Sequence, residues 1–159
     1  MPQSEPVEVE TLVIGAGAAG LMAAIRAAER GANRVVLLEA GERPARKILI
    51  SGNGRCNLTN IDADRLGHYH GSNPRFAAPA LGAHSVDDTL AFFGELGIET
   101  KEEKRGRLFP LSNQAKSVVD VLEDRMTQLG VDISTEARVT HLSRQRDFQV
   151  HCEDGQRWT

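Results

Sequence analysis

The stretch from Thr11 to Glu39, TLVIGAGAAGLMAAIRAAERGANRVVLLE, constrains the fold more than any other part of this sequence. Leu12 and Ile14 alternate with Thr11 and Val13, the period of a strand, and run directly into Gly15, Gly17 and Gly20. The spacing G-x-G-x-x-G between a strand and a helix is that of a dinucleotide-binding turn. Gly15 permits the tight turn, Gly17 lets backbone approach a pyrophosphate that a Cβ would push away, and Gly20 lets the helix lie close on the strand. Ala18 and Ala19 then offer free amides at the helix start, where the helix dipole favours phosphate.

The residues beyond the glycines agree with them. Ala24 and Ala27 keep one helix face flat, Gly31 supplies a stop, and Val36 and Leu38 alternate into Glu39. That acid lies about 24 residues beyond Gly15, near the offset of about 20 at which a carboxylate accepts hydrogen bonds from an adenosine ribose. Glu39 also favours a bare 2′-hydroxyl over a 2′-phosphate, which FAD and NAD both satisfy. Its replacement by alanine is expected to weaken cofactor binding and leave the fold in place. Gly17→Val is expected to block the phosphate and disfavour the turn.

The chain has 159 residues, 40% of them hydrophobic and 26% charged, with a net charge of -3. That is enough for one domain with a real core and too little for two full nucleotide-binding domains. No long run of one sign marks a nucleic-acid or membrane-surface footprint, so neither partner is expected. Cys56 and Cys152 fall in no paired motif, which points to free thiols in a reducing compartment. The apolar run near the start comes after acids rather than a basic segment and is broken by glycines, so it is not read as a secretory signal. No stretch approaches the roughly 20 apolar residues of a membrane span. The expected location is cytoplasmic.

After Glu39 the run AGERPARKILISGNGRCNLTN changes character. Gly41, Gly52 and Gly54 mingle with Arg43, Arg46, Lys47 and Arg55, around a single apolar segment from Ile48 to Ile50. This composition suggests a loop shaped around something, with fixed cations close in sequence to the expected pyrophosphate. His68, Tyr69 and His70 lack a third ligand nearby and read as surface or cleft residues, so no metal is expected. Pro79 to Gly82 reads as a short helical turn. Ser85 and Asp88 form a capping pair ahead of a helix through Leu90, Phe93 and Leu96. Ile98 to Glu103 and Leu108 to Pro110 read as a hairpin around Lys104 to Arg107. From Ser112 or Asn113 a helix is expected to turn Val118, Val119, Leu122, Met126 and Leu129 inward and to end at Gly130. Val131 and Ile133 would then add a third parallel strand beside the first. Arg138 to Leu142, Phe148 to Cys152 and Arg157 to Thr159 read as an antiparallel meander whose last strand presents an open edge. The predicted class is α/β, one domain over 1–159, with the fingerprint and its loop in 1–60, a helical and hairpin excursion in 61–112, and the helix, third strand and meander in 113–159.

PARKILISGNGRCNLTN from Pro44 to Asn60, with GRLFP from Gly106 to Pro110, resembles the bacterial BaiN-type NAD(P)/FAD-dependent flavoproteins, also called the aminoacetone oxidase family. The resemblance spans essentially the whole chain. It implies a Rossmann-like FAD-binding domain of the glutathione-reductase type, incomplete at its C-terminus, because family members are longer and carry an alanine-threonine-glycine strand end and a late glycine-aspartate motif not found here. The expectation is therefore the N-terminal part of a longer protein. By the same resemblance FAD is held extended, with Gly15, Ala16, Gly17, Ala18, Ala19 and Gly20 on its pyrophosphate and Glu39 and Ala40 at the ribose. Arg46 and Lys47 would approach the pyrophosphate side. Ser51, Gly52, Gly54, Arg55 and Asn57 would line the path to the flavin ring, and Val139 would meet adenine through its backbone. Cys56 among them raises the idea of a reactive thiol.

The leading expectation is a FAD-dependent oxidoreductase moving hydride or electrons between NAD(P)H and a small organic substrate. The alternatives are a flavin-dependent tRNA-modifying protein, which calls for a basic face, and a non-catalytic nucleotide-binding module, which would hold the cofactor without reducing it.

Overall fold

The computed structural model describes residues 5–159. They divide into two compact units, one holding the chain up to Lys47 together with Leu122–Thr159, the other the contiguous segment Ile48–Val121.

The first unit is built on β1 (Thr11–Ile14), α1 (Ala18–Glu29) and β2 (Val35–Leu38), a parallel pair joined by a helix that packs on both strands. All four side chains of β2 are buried, each worth about 1.5–3 kcal/mol of apolar transfer. A strand buried on both faces belongs at the centre of its sheet, and this explains a correction. The third parallel strand, Asp132–Ser134, pairs with Val36–Leu38 of β2 and not, as the sequence suggests, with β1, giving the order β1, β2, third strand. β1 is therefore one edge of the sheet and Asp132–Ser134 the other, and Ile14 at the end of β1 is 50% exposed.

Three antiparallel strands, Val139–Arg144, Phe148–Cys152 and Arg157–Trp158, form the meander. Val150 and Cys152 are buried with Val36, Leu38 and Ala137, and Val9, Leu12, Val139 and Trp158 pack around them. The outer side of the last strand is not open as expected. Val7 donates to the Arg157 carbonyl at 2.8 Å and accepts from Thr159 at 3.0 Å, while Val9 donates to the Thr159 carbonyl at 2.8 Å. Residues near the beginning of the chain thus satisfy the backbone groups that the meander alone would leave unpaired.

In the second unit α2 (Arg46–Ile50, entering from the first unit) runs into a single 3-10 turn at Ser51–Asn53, where the sequence suggests only loop. A three-stranded antiparallel sheet comes next, in the order β3 (Thr59–Asn60), β5 (Arg107–Pro110), β4 (Thr100–Glu103). The β4–β5 hairpin is the expected one; the two-residue β3 alongside it is an addition, too short to show a period in the sequence. Helix α3 (Ala78–Ala83) precedes α4 (Val86–Glu95). The Ser85 hydroxyl and Asp88 carboxylate cap α4 reciprocally, an arrangement worth about 1 kcal/mol. Phe92 and Phe93 lie edge-on at 5.2 Å and are buried, as are Ile98, Leu108, Phe109 and Val118. Helix α5 (Ala115–Gln128) begins two residues later than expected, after Asn113 has taken a left-handed conformation (φ 55°). The later strands are β6 (Asp132–Ser134), β7 (Val139–Arg144), β8 (Phe148–Cys152) and β9 (Arg157–Trp158). No helix among the described residues is long and apolar enough to cross a membrane.

Candidate functional site

The glycine turn has two kinds of glycine. Gly15 has φ 97°, a conformation that L side chains rarely adopt, and its N–H donates to the Leu38 carbonyl at 2.7 Å, joining the ends of β1 and β2. A Cβ on Gly20 would collide with the Gly15 carbonyl oxygen and lie 3.0 Å from its carbon, so only glycine lets α1 lie this close to β1. Gly17 differs from both. Its φ of -76° and ψ of 179° suit any residue, and an added Cβ would meet nothing within 4 Å. The expected turn strain at Gly17 is therefore not present, and what glycine leaves there is open space above the helix start.

That start is bare. Gly17 is the N-cap and supplies no side-chain acceptor, the first turn of α1 has no acid, and Gly17, Ala18 and Ala19 are exposed. Helix N-termini leave donor N–H groups without intrahelical partners. Here they face outward with no protein group supplied as a cap, which suits an anionic oxygen. Ala16 is different: it is 1% exposed, and its N–H is already given to Glu39 Oε2 at 2.9 Å.

Glu39 is the hinge of this region. Besides the bond from Ala16, its Oε1 accepts from the Gly41 N–H at 2.8 Å. Its own backbone donates to Ser134 at 2.8 Å and accepts from Ala137 at 2.9 Å. The carboxylate is thereby fixed between the glycine turn and the segment after β2, with acceptor capacity left on both oxygens, since an ionised carboxyl offers about four lone-pair directions. Such a group fits ribose hydroxyls. It also ties Glu39 into the fold, so its removal should lower stability as well as weaken cofactor binding.

Ala40, Gly41, Glu42, Arg43 and Arg46, which follow Glu39 in the chain, line a groove of about 580 Å³ together with Glu136, Arg138 and Glu153. Arg46 and Lys47 are exposed on the first turn of α2. Val139 sits half-buried at the start of β7, its side chain against the meander core. Glycine turn, Glu39, Ala40, Arg46, Lys47 and Val139 thus all lie in the first unit.

Ser51, Gly52, Gly54, Arg55 and Asn57 lie in the second unit and share one strained loop. Gly52, Asn53, Gly54 and Cys56 all have positive φ, between 56° and 80°. Such conformations cost roughly 1–3 kcal/mol for a non-glycine residue and persist where surroundings impose them. Here the surroundings are identifiable. A Cβ on Gly52 would come within 2.7 Å of the Phe109 ring and 2.9 Å of the Asn57 nitrogen. The Ser51 carbonyl accepts from both Gly54 and Cys56, the Ser51 hydroxyl donates to the Ile48 carbonyl at 2.8 Å, and the Gly54 carbonyl accepts from Ala115 at the start of α5. Arg55 is turned inward: Nη1 is 2.7 Å from Glu103 Oε1, Nε donates to the Gly52 carbonyl at 3.3 Å, and the guanidinium lies 4.2 Å above the Phe109 ring. Asn53, Gly54 and Asn57 are left exposed. Burial raises the Cys56 thiol pKa, a hydrogen bond with Ser51 opposing, so this cysteine is a buried packing group and not the reactive thiol that its neighbours suggest.

Residues 9–159 match the family described as the HI0933-like protein Rossmann domain. The chain belongs to that family. Among proteins like it, a 3-dehydro-bile acid delta(4,6)-reductase from Clostridium scindens is 43% identical over 147 residues, covering 92% of this chain and 36% of that protein. A ribosomal RNA dihydrouridine synthase from Haemophilus influenzae is 35% identical over 142 residues, covering 89% of this chain and 35% of that one. The chain therefore spans about a third of the length of these relatives. Among solved structures, a 3-ketosteroid-delta4-(5alpha)-dehydrogenase from Rhodococcus jostii superposes with a TM-score of 0.61 at 14% identity, covering 99% of this chain and 44% of that one. A flavocytochrome c3 fumarate reductase gives 0.60 at 21%, covering 96% and 32%. At these identities the superpositions establish the Rossmann-like fold, which the glycine turn and β-meander imply.

Membership of the HI0933-like family confirms the resemblance carried by Pro44 to Asn60. Two residues of the loop's setting, Glu103 and Phe109, carry no sign of that role in the sequence. Glu103 is one acid in the run Glu99 to Lys104, and Phe109, although it stands in GRLFP, reads there as a strand hydrophobe. Among the described residues no group of three or more His, Cys, Asp or Glu side chains is placed to hold a metal ion.

Proposed function

We propose that this chain binds the ADP portion of FAD and serves, as the N-terminal part of a longer oxidoreductase, in the transfer of hydride from NAD(P)H to a small organic substrate. The observation that carries the reading is the Glu39 carboxylate, held by the Ala16 and Gly41 N–H groups beside an uncapped, exposed helix start. Donors for a pyrophosphate and an acceptor for ribose hydroxyls then stand at one end of one sheet, the place where open α/β sheets bind nucleotides. Bound FAD would supply the redox chemistry, and the protein would bind, orient and tune it. In that division of work the first-turn amides of α1 hold phosphate oxygens, Gly17 keeps their approach clear, Glu39 orients the ribose, and Arg46 and Lys47 add positive charge nearby. The exposed polar groups of Asn53 and Asn57 serve the remaining cofactor or the substrate.

The activities named for the two relatives share a chemistry. One is a reductase acting on a bile acid at delta(4,6) and the other makes dihydrouridine, in each case a matter of a ring carbon–carbon double bond. We assign this chain's longer protein to the same substrate class, a ring double bond conjugated to a carbonyl. The RNA-directed activity is the second reading because of the 35% relatives. The net charge of -3 favours a small substrate, since RNA binding draws on clustered cations.

The natural protein, desalted after purification, is expected to show visible flavin bands and to release FAD on denaturation. It should then oxidise NADH or NADPH faster in the presence of a cyclic enone than with ribosomal RNA. Colourless protein that takes up no FAD would refute the cofactor assignment. Reduction of RNA uracil with no response to enones would select the second reading.

A further inference from the structure

We propose that Glu103 and Phe109 are positioning residues for the Ser51–Asn57 loop, acting through Arg55 to hold the loop in the conformation that presents Asn53, Gly54 and Asn57 to the cofactor. The proposal rests on the flavin reading of this loop. Its physical basis lies wholly within the second unit. Four residues of the loop have left-handed backbone, and two of them, Asn53 and Cys56, are not glycine, so the loop relaxes unless something outside it holds it. Arg55 is the one long side chain inside that stretch. Its guanidinium is held from three sides: the Glu103 carboxylate at 2.7 Å, the Phe109 ring at 4.2 Å, and the Gly52 carbonyl of its own loop at 3.3 Å.

Two further cations stand near this latch. Lys101 lies 3.6 Å from the same Glu103 oxygen, and the Arg107 guanidinium is 5.7 Å from the centre of the Phe109 ring. The hydrogen bond from Arg55 is the largest influence holding the Glu103 carboxyl below its usual range, so the carboxylate answers chiefly to Arg55. Phe109 acts twice, since its ring carries the guanidinium and also fills the space that a side chain on residue 52 would need. β4 and β5 supply both partners from a paired hairpin, a more rigid support than the loop itself. An arginine so engaged orients the loop, and cofactor contact falls to the exposed backbone and asparagine groups.

The two cysteines make the proposal testable, because each unit holds one and both are 5% exposed. Glu103→Gln and Arg55→Lys should be made in the natural protein, and the rates at which iodoacetamide alkylates Cys56 and Cys152 tracked by mass spectrometry. Flavin band shape, flavin midpoint potential and FAD affinity are measured alongside. Loss of a partly exposed, charge-assisted contact should speed Cys56 alkylation about fivefold and leave Cys152 unchanged. It should also shift the flavin bands and potential and weaken FAD binding by roughly the same factor. Equal acceleration at both cysteines would mean general loosening and overturn the proposal, as would an unchanged Cys56 rate. A faster Cys56 with unaltered flavin bands and potential would reduce Glu103 to a packing role and overturn it equally. If the unsubstituted protein holds no flavin, the cofactor reading fails and takes the positioning role with it, while the ratio of the two alkylation rates still reports whether the latch exists.

Discussion

Replacing Glu39 tests the site and the fold together. In Glu39→Ala two backbone donors lose a charged acceptor: the Ala16 N–H, which is almost fully enclosed, and the Gly41 N–H. A hydrogen bond to a charged group contributes about 1.5–3 kcal/mol when well shielded, and partial exposure places this pair toward the lower end, so we expect a total of about 2–3 kcal/mol. For a chain of this size each kcal/mol moves the melting temperature by about 2–4 °C, giving a fall of about 5–10 °C in the cofactor-free protein. Glu39→Gln should recover little. A glutamine has one carbonyl acceptor, and its amide nitrogen would then face a second N–H, donor against donor. With FAD added, both variants should bind roughly ten- to a hundredfold more weakly than the parent, through loss of the ribose contact. Differential scanning fluorimetry on apoprotein and flavin-fluorescence titration separate the two effects. An unshifted melting temperature would refute the structural role of the carboxylate, and an unchanged FAD dissociation constant would remove it from the cofactor site.

Gly17→Ala should leave the apoprotein stable to within about 1 kcal/mol while abolishing flavin retention, since its Cβ enters open space that only the phosphate needs. Gly20→Ala should lower the yield of folded protein, because its Cβ strikes the Gly15 backbone; similar behaviour of the two variants would show that the turn is not shaped as described. On α1, Glu29 is desolvated by burial, yet Arg125 and Arg26 outweigh this and hold its carboxyl below the usual carboxylate range. A carboxyl with a lowered folded pKa contributes stability above its unfolded pKa, and that contribution is lost as the pH falls through the folded value. Arg125→Met should therefore cost about 0.5–1 kcal/mol at neutral pH and nothing well below the folded pKa, with equal losses at both pH values counting against the pair. Cys56 and Cys152 should both resist thiol reagents in the native protein and react on unfolding, and rapid native labelling of Cys56 would contradict its burial.

Local regularity makes the first unit legible. The strand period from Thr11, the glycine spacing and the acid at Glu39 are all properties of consecutive residues, and so is the Ser85–Asp88 cap. Strand order is not such a property. Whether Asp132–Ser134 lies beside β1 or β2 depends on which strand is buried on both sides, and four apolar residues at Val35–Leu38 are only a faint hint of this. The Ser51–Asn57 loop is obscure for a different reason. Its glycines and arginine suggest a ligand, but Gly52 answers to Phe109 and Arg55 to Glu103, some fifty residues away. Composition marks such a segment as special without telling a cofactor from a neighbouring strand. The pairing of Val7 and Val9 with β9 is likewise invisible, because a short stretch of alternating acid and valine carries no sign of its partner.

That last pairing bears on the order in which the protein can acquire its shape during synthesis. Val7 and Val9 leave the ribosome well before Arg157 and Thr159, whose backbone groups they join. β2 waits similarly for Asp132–Ser134. The interval is occupied by Ile48–Val121, a contiguous segment whose sheet draws on nothing outside it for its strand pairing. Translation thus delivers the inner segment complete while the outer one is still a strand–helix–strand with an unfilled side, and contacts between residues so distant along the chain form late. An arrest of synthesis near residue 121 would leave the glycine turn already made but β2 exposed, a state that holdase chaperones recognise by its apolar strand.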